Sequence, residues 1–358
     1  MSDIKTNVDE LDVVKLAAYL ADNIEGFSGP IKATKFEGGQ SNPTFKLSSP
    51  SGDFVLRRQP PGKLLKSAHA VDREFRVYQA LADSDVPVPR MYHLCEDREI
   101  IGSMFYVMEY CAGSIFWDAA LPELASNEMR SAAYEQMGDV LAAIHSVDLD
   151  SAGLSDYGKP GNYFERQLSR WSQQYKASEI KPIPAMDQLI AWLEENLPED
   201  DGRVSLVHGD YRLDNMMFSS AALQSGEVSI LAVLDWELST LGHPFADLAY
   251  QCMQLRMPAS GGQKKPGQMS GLAGIDRTSL GIPTEKEYVA RYCKRMGIDK
   301  IDHWAFYLAF SFFRLAAIAQ GVAKRALDGN ASSKQAGKVG AYVPLLAMGA
   351  LAVIKEES

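Results

Sequence analysis

Residues 204–215 have the sequence VSLVHGDYRLDN, in which a mostly apolar run leads into a polar loop. The loop places Asp210 and Asn215 five residues apart, and a second apolar run at 230–234 ends on Asp235. Short apolar runs bounded by polar residues are typical of buried strands. Carboxylate and amide oxygens are the hard ligands that Mg²⁺ prefers. The stretch therefore predicts oxygen ligands at strand ends, which suit a metal ion that also binds phosphate groups.

The composition is that of a folded protein with an acidic surface. Of the 358 residues, 46% are hydrophobic and 23% are charged, which is ordinary for a globular chain. The net charge of −10 argues against a nucleic-acid partner. It leaves room for a phosphate ligand, because a few local cations and backbone amides suffice to hold one.

Neither a membrane span nor a secretory signal is expected. No uninterrupted apolar run reaches the ~18 residues that a span requires, and the acidic N-terminus lacks an apolar signal core. The four cysteines are widely spaced and form no CxxC pair, which predicts free thiols and a cytoplasmic location.

Periodicity divides the chain into a β-rich half and a larger helical half, an α+β organisation. Strands are predicted at 31–36, 44–48, 53–58, 90–95 and 103–110, with a strand pair around 204–234. Helices are predicted at 9–22, 69–82, 126–146, 162–177, 185–196, 284–296, 300–325 and 334–355. We place the boundary after residue 110, giving lobes 1–110 and 111–358 with a ligand cleft expected between them. The Gly-, Ser-, Pro- and Lys-rich stretch 257–283 is either a loose insertion or a substrate-contacting lid.

The loop at 208–215 resembles the catalytic loop of the aminoglycoside phosphotransferase family, a branch of the protein-kinase-like fold. The family pattern is His-Gly-Asp followed by an Asn, and a metal-binding Asp follows the next strand. The resemblance implies a two-lobed kinase that uses ATP and Mg²⁺. It makes Asp210 the catalytic base and makes Asn215 and Asp235 the metal ligands.

Neighbouring residues take supporting roles on the same resemblance. Arg212 would stabilise charge on the transferred phosphate. Glu237 would contact the metal's ligands without binding the metal directly. His208 is expected to be structural, and Asp247, within the run 242–249 that also matches the family, is expected to anchor the loop.

The first half supplies candidate nucleotide contacts. Gly38, Gly39, Ser41 and Asn42 lie between two predicted strands, where backbone amides could approach phosphates; a plain hairpin turn is the alternative. Backbone groups of Glu109 and Tyr110, at the end of the strand 103–110, would contact an adenine. A cation and the carboxylate that pairs with it complete the predicted nucleotide site.

Arg57 occupies the strand position at which kinases carry a nucleotide-contacting Lys, and Glu74 is the candidate helix carboxylate that pairs with it. Arg keeps the charge of Lys but has a different reach and a planar shape. Arg58 or Lys63 could contribute instead.

Three further segments narrow the resemblance: FVLRRQPPGKLL at 54–65, SAHAVDRE at 67–74 and GIP at 281–283. They look like the kinase-like domain that precedes some acyl-CoA dehydrogenases, and the chain is expected to be a stand-alone version of it. The implied substrate is a hydroxyacyl-CoA in fatty or hydroxy acid breakdown, with a possible functional link to an acyl-CoA dehydrogenase. Arg256, Lys264 and Lys265 are candidates for contacts with coenzyme A phosphates.

Two alternatives remain open at this stage. One is a kinase for another hydroxyl compound, such as an aminoglycoside, choline or homoserine. The other is a nucleotide-binding pseudokinase or interaction module, supported by Arg57 standing where a Lys is usual.

Overall fold

The chain folds as two units, and the boundary between them is crossed more than once. The computed structural model describes residues 11–36, 42–60, 69–259, 271–328 and 339–357. The first unit comprises 1–113 together with 231–237, and the second comprises 114–230 and 238–358. Nothing in the sequence pattern assigned residues 231–237, which carry Asp235, to the first unit.

The first unit contains a five-stranded antiparallel sheet in the order β1-β2-β3-β5-β4. The strands are β1 (Lys32–Lys35), β2 (Thr44–Ser49), β3 (Gly52–Arg58), β4 (Met91–Cys95) and β5 (Phe105–Glu109). Two helices accompany the sheet, α1 (Val13–Asn23) and α2 (Val71–Leu81). Helix α2 packs against β4 and β5.

Strand β3 shows how the sequence orients the functional side chains of this unit. Phe54 and Leu56 belong to the same buried cluster as Leu16 and Leu20 of α1. Successive side chains of a strand point to opposite faces. Arg57 therefore lies on the other face of the sheet.

The second unit is mainly helical. Its helices are α3 (Asn127–His145), α4 (Tyr163–Ala177), α5 (Pro184–Glu195), α6 (Ser220–Gln224), α7 (Phe245–Leu255), α8 (Glu285–Met296), α9 (Trp304–Leu327) and α10 (Tyr342–Glu357). Short strands lie at β6 (Gly113–Ser114), β7 (Ser205–Val207), β8 (Met216–Ser219), β9 (Ile230–Val233) and β10 (Thr240–Gly242), with β6 and β9 at the unit boundaries.

Helix α9 is the central helix of the second unit. It packs against α4, α5, α7 and α10. By length and composition it could cross a bilayer, but 72% of its most apolar window is buried inside the protein. A core helix that is apolar on all sides has this property.

One sequence prediction about this unit is wrong, and one helix was missed. Strand β7 pairs antiparallel with β10, so the strands at 204–207 and 230–234 are not partners of each other. Helix α7 was not predicted at all. Ten of its eleven residues are buried, from Phe245 through Met253 and at Leu255, so it has almost no solvent-exposed face.

The stretch 257–283 is ordered at both ends. The N–H of Leu272 donates to the carbonyl of Leu255, and that of Ala273 donates to Met257. A short 3₁₀ turn follows at Thr278–Leu280. Residues 260–270 of the expected lid or insertion lie outside the described residues.

Candidate active site

In the first unit, Arg57 joins the two carboxylates that the sequence assigned to nucleotide and metal. Its Nε donates to Oε2 of Glu74 at 2.9 Å, and its Nη2 donates to Oδ1 of Asp235 at 2.6 Å. A third carboxylate, that of Glu237, lies 3.9 Å from Nη2. The predicted pairing of Arg57 with Glu74 is therefore seen in the structure, and Asp235 joins it.

Burial and crowding of like charge govern the protonation of this cluster. Burial raises the pKa of Glu74 to about 7, Arg57 opposes that rise, and Asp235 and Glu237 add to it. Burial by itself lowers the pKa of Arg57, but the two bonded carboxylates overcome it and hold the pKa above its usual value. The arginine stays charged, and the carboxylates compete for it.

The backbone at Asp235 is held in an unusual conformation. Its φ is +65°, a left-handed value that non-glycine residues adopt infrequently. The N–H of Asp235 donates to the hydroxyl of Tyr78 at 3.2 Å, and the fully buried Trp236 packs edge-on against the Tyr78 ring. Strained residues of this kind cluster at functional sites, where surrounding packing fixes them.

The predicted phosphate loop is described in part. Gly38, Gly39 and Ser41 lie outside the described residues, as does Lys63. Asn42 is buried, and its Oδ1 lies 3.0 Å from Nδ1 of His69. Its role in binding nucleotide stays a prediction.

One of the backbone groups predicted to contact an adenine already has a partner in the protein. The N–H of Glu109 donates to the carbonyl of Arg90 at 2.8 Å, so that donor is already committed within the first unit. The predicted adenine contacts that remain are the Glu109 carbonyl and the backbone of Tyr110, and they stay a prediction. The Tyr110 ring lies beneath the ammonium of Lys46, 4.1 Å from its centroid.

In the second unit, the catalytic loop brings Asp210 and Asn215 together. The side-chain Nδ2 of Asn215 donates to the carbonyl of Asp210 at 2.8 Å and to its Oδ2 at 3.2 Å. The other carboxylate oxygen, Oδ1, accepts from the hydroxyl of Tyr250 at 2.8 Å. The Asp210 carboxylate is thus oriented on both sides.

Buried groups hold the loop in place through its backbone amides. Asp247, only 1% exposed, accepts the N–H of His208 at 2.6 Å and that of Gly209 at 2.8 Å. Burial raises its pKa, but the hydrogen bond and charge of His145 and the bonds from the loop bring the pKa below the usual value. Asp247 is therefore a buried anion whose partners are the loop amides and His145.

His208 and Arg314 complete the support of the loop. His208 is fully buried, and its Nδ1 accepts the N–H of Asp210 at 3.2 Å, which fits the structural role expected for it. Arg314 of α9 donates to the Gly209 carbonyl at 2.7 Å and lies over the Tyr250 ring. The guanidinium of Arg314 therefore holds the loop in place and packs on an aromatic ring.

Arg212 lies beside the candidate base. Its Nε is 3.4 Å from Oδ2 of Asp210, and its Nη2 is 2.9 Å from Oδ2 of Asp214. A guanidinium in this place can offset negative charge on a group that reacts at Asp210.

The donor set suits a metal that phosphates help to hold. Within the described ranges, no three His, Cys, Asp or Glu side chains cluster as a protein-only metal site. Mg²⁺ usually takes one or two protein ligands and completes its shell with phosphate oxygens and water. Because Nδ2 of Asn215 is committed to Asp210, Oδ1 is the atom that Asn215 can offer a cation. Asp235 offers a carboxylate.

One predicted contact group is engaged elsewhere. Arg256 forms ion pairs with Glu285 at 2.5 Å and Glu356 at 2.8 Å, so its charge is used to join α8 and α10 to the end of α7. Lys264 and Lys265, proposed with it as coenzyme A contacts, lie outside the described residues.

Tyr250 and Arg314 were missed from sequence. Tyr250 follows Asp247 by three residues, which is one turn of a helix and therefore the same face. That spacing could have identified Tyr250 had α7 been predicted. Arg314 lies in the middle of the apolar α9, whose other charges, Lys324 and Arg325, lie in its last turn. A charge at a central, apolar position of a helix is a signal in itself.

Comparison with known proteins agrees with these features. Residues 32–280 match the model of a family described as the phosphotransferase enzyme family. The chain belongs to this family. A crystal structure of a Ralstonia eutropha protein, provisionally described as an aminoglycoside phosphotransferase, is 47% identical with a TM-score of 0.84. That similarity covers 97% of this chain and 99% of the other.

Curated relatives of this phosphotransferase are longer proteins. Mouse acyl-CoA dehydrogenase family member 10 is 50% identical over 87% of this chain and 28% of its own length. Human acyl-CoA dehydrogenase family member 11 is 42% identical over 91% of this chain and 41% of its own. The chain thus spans less than half of the curated relatives that it matches.

More distant structures share the fold of this phosphotransferase. A choline kinase from Cryptosporidium parvum has a TM-score of 0.66 at 13% identity, over 96% of both chains. At that identity the likeness shows a kinase-like fold and nothing further.

Proposed function

We propose that the protein transfers the γ-phosphoryl group of ATP to a hydroxyl group, with Asp210 as the base. The observation that carries the proposal is the geometry of Asp210, whose two carboxylate oxygens are oriented by Tyr250 and Asn215. A carboxylate fixed in this way is suited to accept a hydroxyl proton as the oxygen attacks phosphorus.

The atoms of the step balance without a further reactant. The acceptor oxygen forms a bond to the γ-phosphorus, and the bond from that phosphorus to the oxygen of the departing ADP breaks. The hydroxyl proton goes to Asp210, and Arg212 offsets negative charge on the moving group.

Asn215 and Asp235 are the proposed ligands of Mg²⁺. A bound Mg²⁺ neutralises charge on the nucleotide phosphates. Arg57, held by Glu74, supplies the cation that a kinase-like site needs beside those phosphates, which supports an active enzyme over a pseudokinase. A ternary complex of an aminoglycoside phosphotransferase of the same fold contains ADP.

We further propose a hydroxyacyl-CoA as the acceptor. The support is the family of relatives, whose names refer to acyl-CoA dehydrogenases and which match nearly the whole of this chain. On the same support we propose a functional link to an acyl-CoA dehydrogenase.

ADP release measured across a panel of acceptors tests these proposals. The panel contains hydroxyacyl-CoAs that differ in hydroxyl position, free hydroxy acids, aminoglycosides, choline and homoserine, each with ATP and Mg²⁺. We expect turnover with hydroxyacyl-CoAs that is lost in Asp210→Asn. Turnover confined to choline or aminoglycosides would refute the acyl assignment, and turnover that survives in Asp210→Asn would refute the base.

A further inference from the structure

A cavity of about 40 Å³ adjoins the catalytic loop within the second unit. Arg212 and Asp214 line it on the side of the loop. Its apolar wall is formed by Trp117, Met137, Leu255 and Met257. One water needs roughly 10–15 Å³ of such space, so the cavity accommodates a group of a few heavy atoms.

Two glutamines of α7 bring polar groups to this cavity. Gln251 is 2% exposed, and its Oε1 accepts a hydrogen bond from the hydroxyl of Tyr288 at 2.7 Å. The Nε2 atom of Gln251 is buried and has no hydrogen-bond partner among the residues that the structure describes. The same holds for Nε2 of Gln254, one helical turn further along the wall.

Unpaired buried amide donors require explanation. A buried N–H group without an acceptor costs free energy, and such groups in native proteins usually meet a ligand, an ion or a water. Here two of them line one cavity beside the candidate base. They would be satisfied by a group that brings oxygen acceptors.

The charges around the cavity select the same kind of group. Asp214 is the acidic side chain of the lining, and its carboxylate is paired with Arg212 at 2.9 Å. Arg212 and the two glutamine amides are donors. An ammonium group placed here would therefore meet donors and a carboxylate that is already paired.

We propose that this cavity binds the oxygen-bearing group next to the acceptor hydroxyl, with Gln251 and Gln254 donating to its oxygen. The inference rests on the proposed phosphotransfer to a hydroxyacyl-CoA and adds the residues that recognise the acceptor's carbonyl. A carbonyl oxygen has two lone pairs and can accept from both amides. The thioester carbonyl of a hydroxyacyl-CoA has this chemistry, and adjoining methylenes suit the apolar wall.

Helix α7 connects the cavity to the reacting group. Tyr250, which donates to Asp210, directly precedes Gln251 in the chain. A bound carbonyl would therefore orient the acceptor relative to the base through a single helix. This makes Gln251 and Gln254 specificity-determining residues, with no role in proton transfer.

The test exchanges one donor for an acceptor of the same shape. Gln254→Glu is compared with Gln174→Glu, which makes the same charge change on the exposed surface of α4. ADP-release kinetics with hydroxyacyl-CoA should show a KM for the acceptor raised about tenfold or more in Gln254→Glu. The KM for ATP, and both constants in Gln174→Glu, should stay as in the wild type. Gln251→Glu should act in the same direction, with thermal unfolding recorded to confirm that it folds.

Calorimetric binding of hydroxyacyl-CoA to Asp210→Asn supplies a readout that needs no turnover. Binding to Asp210→Asn that is weakened by adding Gln254→Glu supports the cavity even if no phosphotransfer is found. An acceptor KM unchanged in Gln254→Glu overturns the cavity while leaving the phosphotransferase intact. Absence of hydroxyacyl-CoA binding, or turnover of choline or aminoglycosides in its place, also overturns it.

Discussion

At the scale of single residues, the carboxylate of Asp210 is held on both sides by groups far apart in the sequence. Asn215 comes from the same loop, whereas Tyr250 comes from α7. A base that must meet an acceptor hydroxyl within hydrogen-bonding distance gains from such pre-orientation. The contribution of Tyr250 is to position Asp210, because its hydroxyl bonds to the carboxylate.

Removing the hydroxyl of Tyr250 should slow phosphotransfer without weakening nucleotide binding. We expect Tyr250→Phe to lower kcat about five- to tenfold, the effect of losing one hydrogen bond of about 1 kcal/mol. The KM for ATP should not change. Tyr157→Phe is the matched control, since the Tyr157 hydroxyl bonds to Ser239 rather than to the catalytic loop. Equal kcat values in the wild type and Tyr250→Phe would contradict the positioning role.

Glu74 should make the stability of the protein depend on pH. Its pKa is about 7 in the folded protein against an ordinary 4.5, so the folded form binds the proton more tightly than the unfolded form. Its contribution to stability is fully present below pH ~4.5 and is lost as the pH rises through about 7. Over this window, Glu74→Gln should show a shallower fall in the free energy of unfolding, measured by urea denaturation.

Glu96→Gln provides the control for that experiment, because Glu96 is an exposed glutamate of the same unit. It should keep the wild-type dependence on pH. If Glu74→Gln also keeps it, the assignment of a raised pKa to Glu74 is wrong.

At the scale of elements, α7 contributes most to the candidate site and was the helix that periodicity missed. It carries Asp247, which holds the loop amides, and Tyr250, which orients the base. It also carries the two glutamines of the cavity. It is buried on nearly all faces, so it lacks the exposed polar side that α4 and α8 have.

The catalytic loop depends on a glycine at its turn. Gly209 has a φ of +82°, and a Cβ there would lie 2.5 Å from the carbonyl oxygen of Leu238. Gly226 has the same φ with nothing within 4 Å of such a Cβ. Gly226→Ala therefore reports the conformational cost alone, about 1 kcal/mol. Gly209→Ala adds a clash with backbone.

We expect Gly209→Ala to lower the free energy of unfolding by roughly 1–3 kcal/mol more than Gly226→Ala does, and to lower kcat as well. Chemical denaturation and ADP release measure the two effects. Similar losses in both variants would show that the close approach to Leu238 has no energetic consequence.

At the scale of the whole molecule, the site residues that could be predicted are those that lie close together in the sequence. The run 208–215 contains both Asp210 and Asn215, and strand alternation places Arg57 on the face opposite Phe54. The helices of the second unit with a polar face also lie close to their predicted positions, as with Asn127–His145 for 126–146. Resemblance to a family supplied the roles of these residues.

What could not be predicted depends on contacts between distant segments. Residues 231–237 join the first unit and bring Asp235 to Arg57, a contact across 178 residues. Arg314 reaches the Gly209 carbonyl across 105 residues. No local pattern encodes such pairings, because tertiary packing decides them. The partner of β7, which is β10, was mispredicted for the same reason.

The proposed role of Asp210 is to accept the proton of the hydroxyl that ATP phosphorylates. The most direct test compares wild type, Asp210→Asn and Asp187→Asn, the last of which alters an exposed ion pair with Lys176. Phosphorylated hydroxyacyl-CoA is measured by mass spectrometry and ATP binding by calorimetry. We expect kcat to be lowered about 10²- to 10⁴-fold in Asp210→Asn alone, with ATP binding retained. Wild-type turnover by Asp210→Asn would contradict that role.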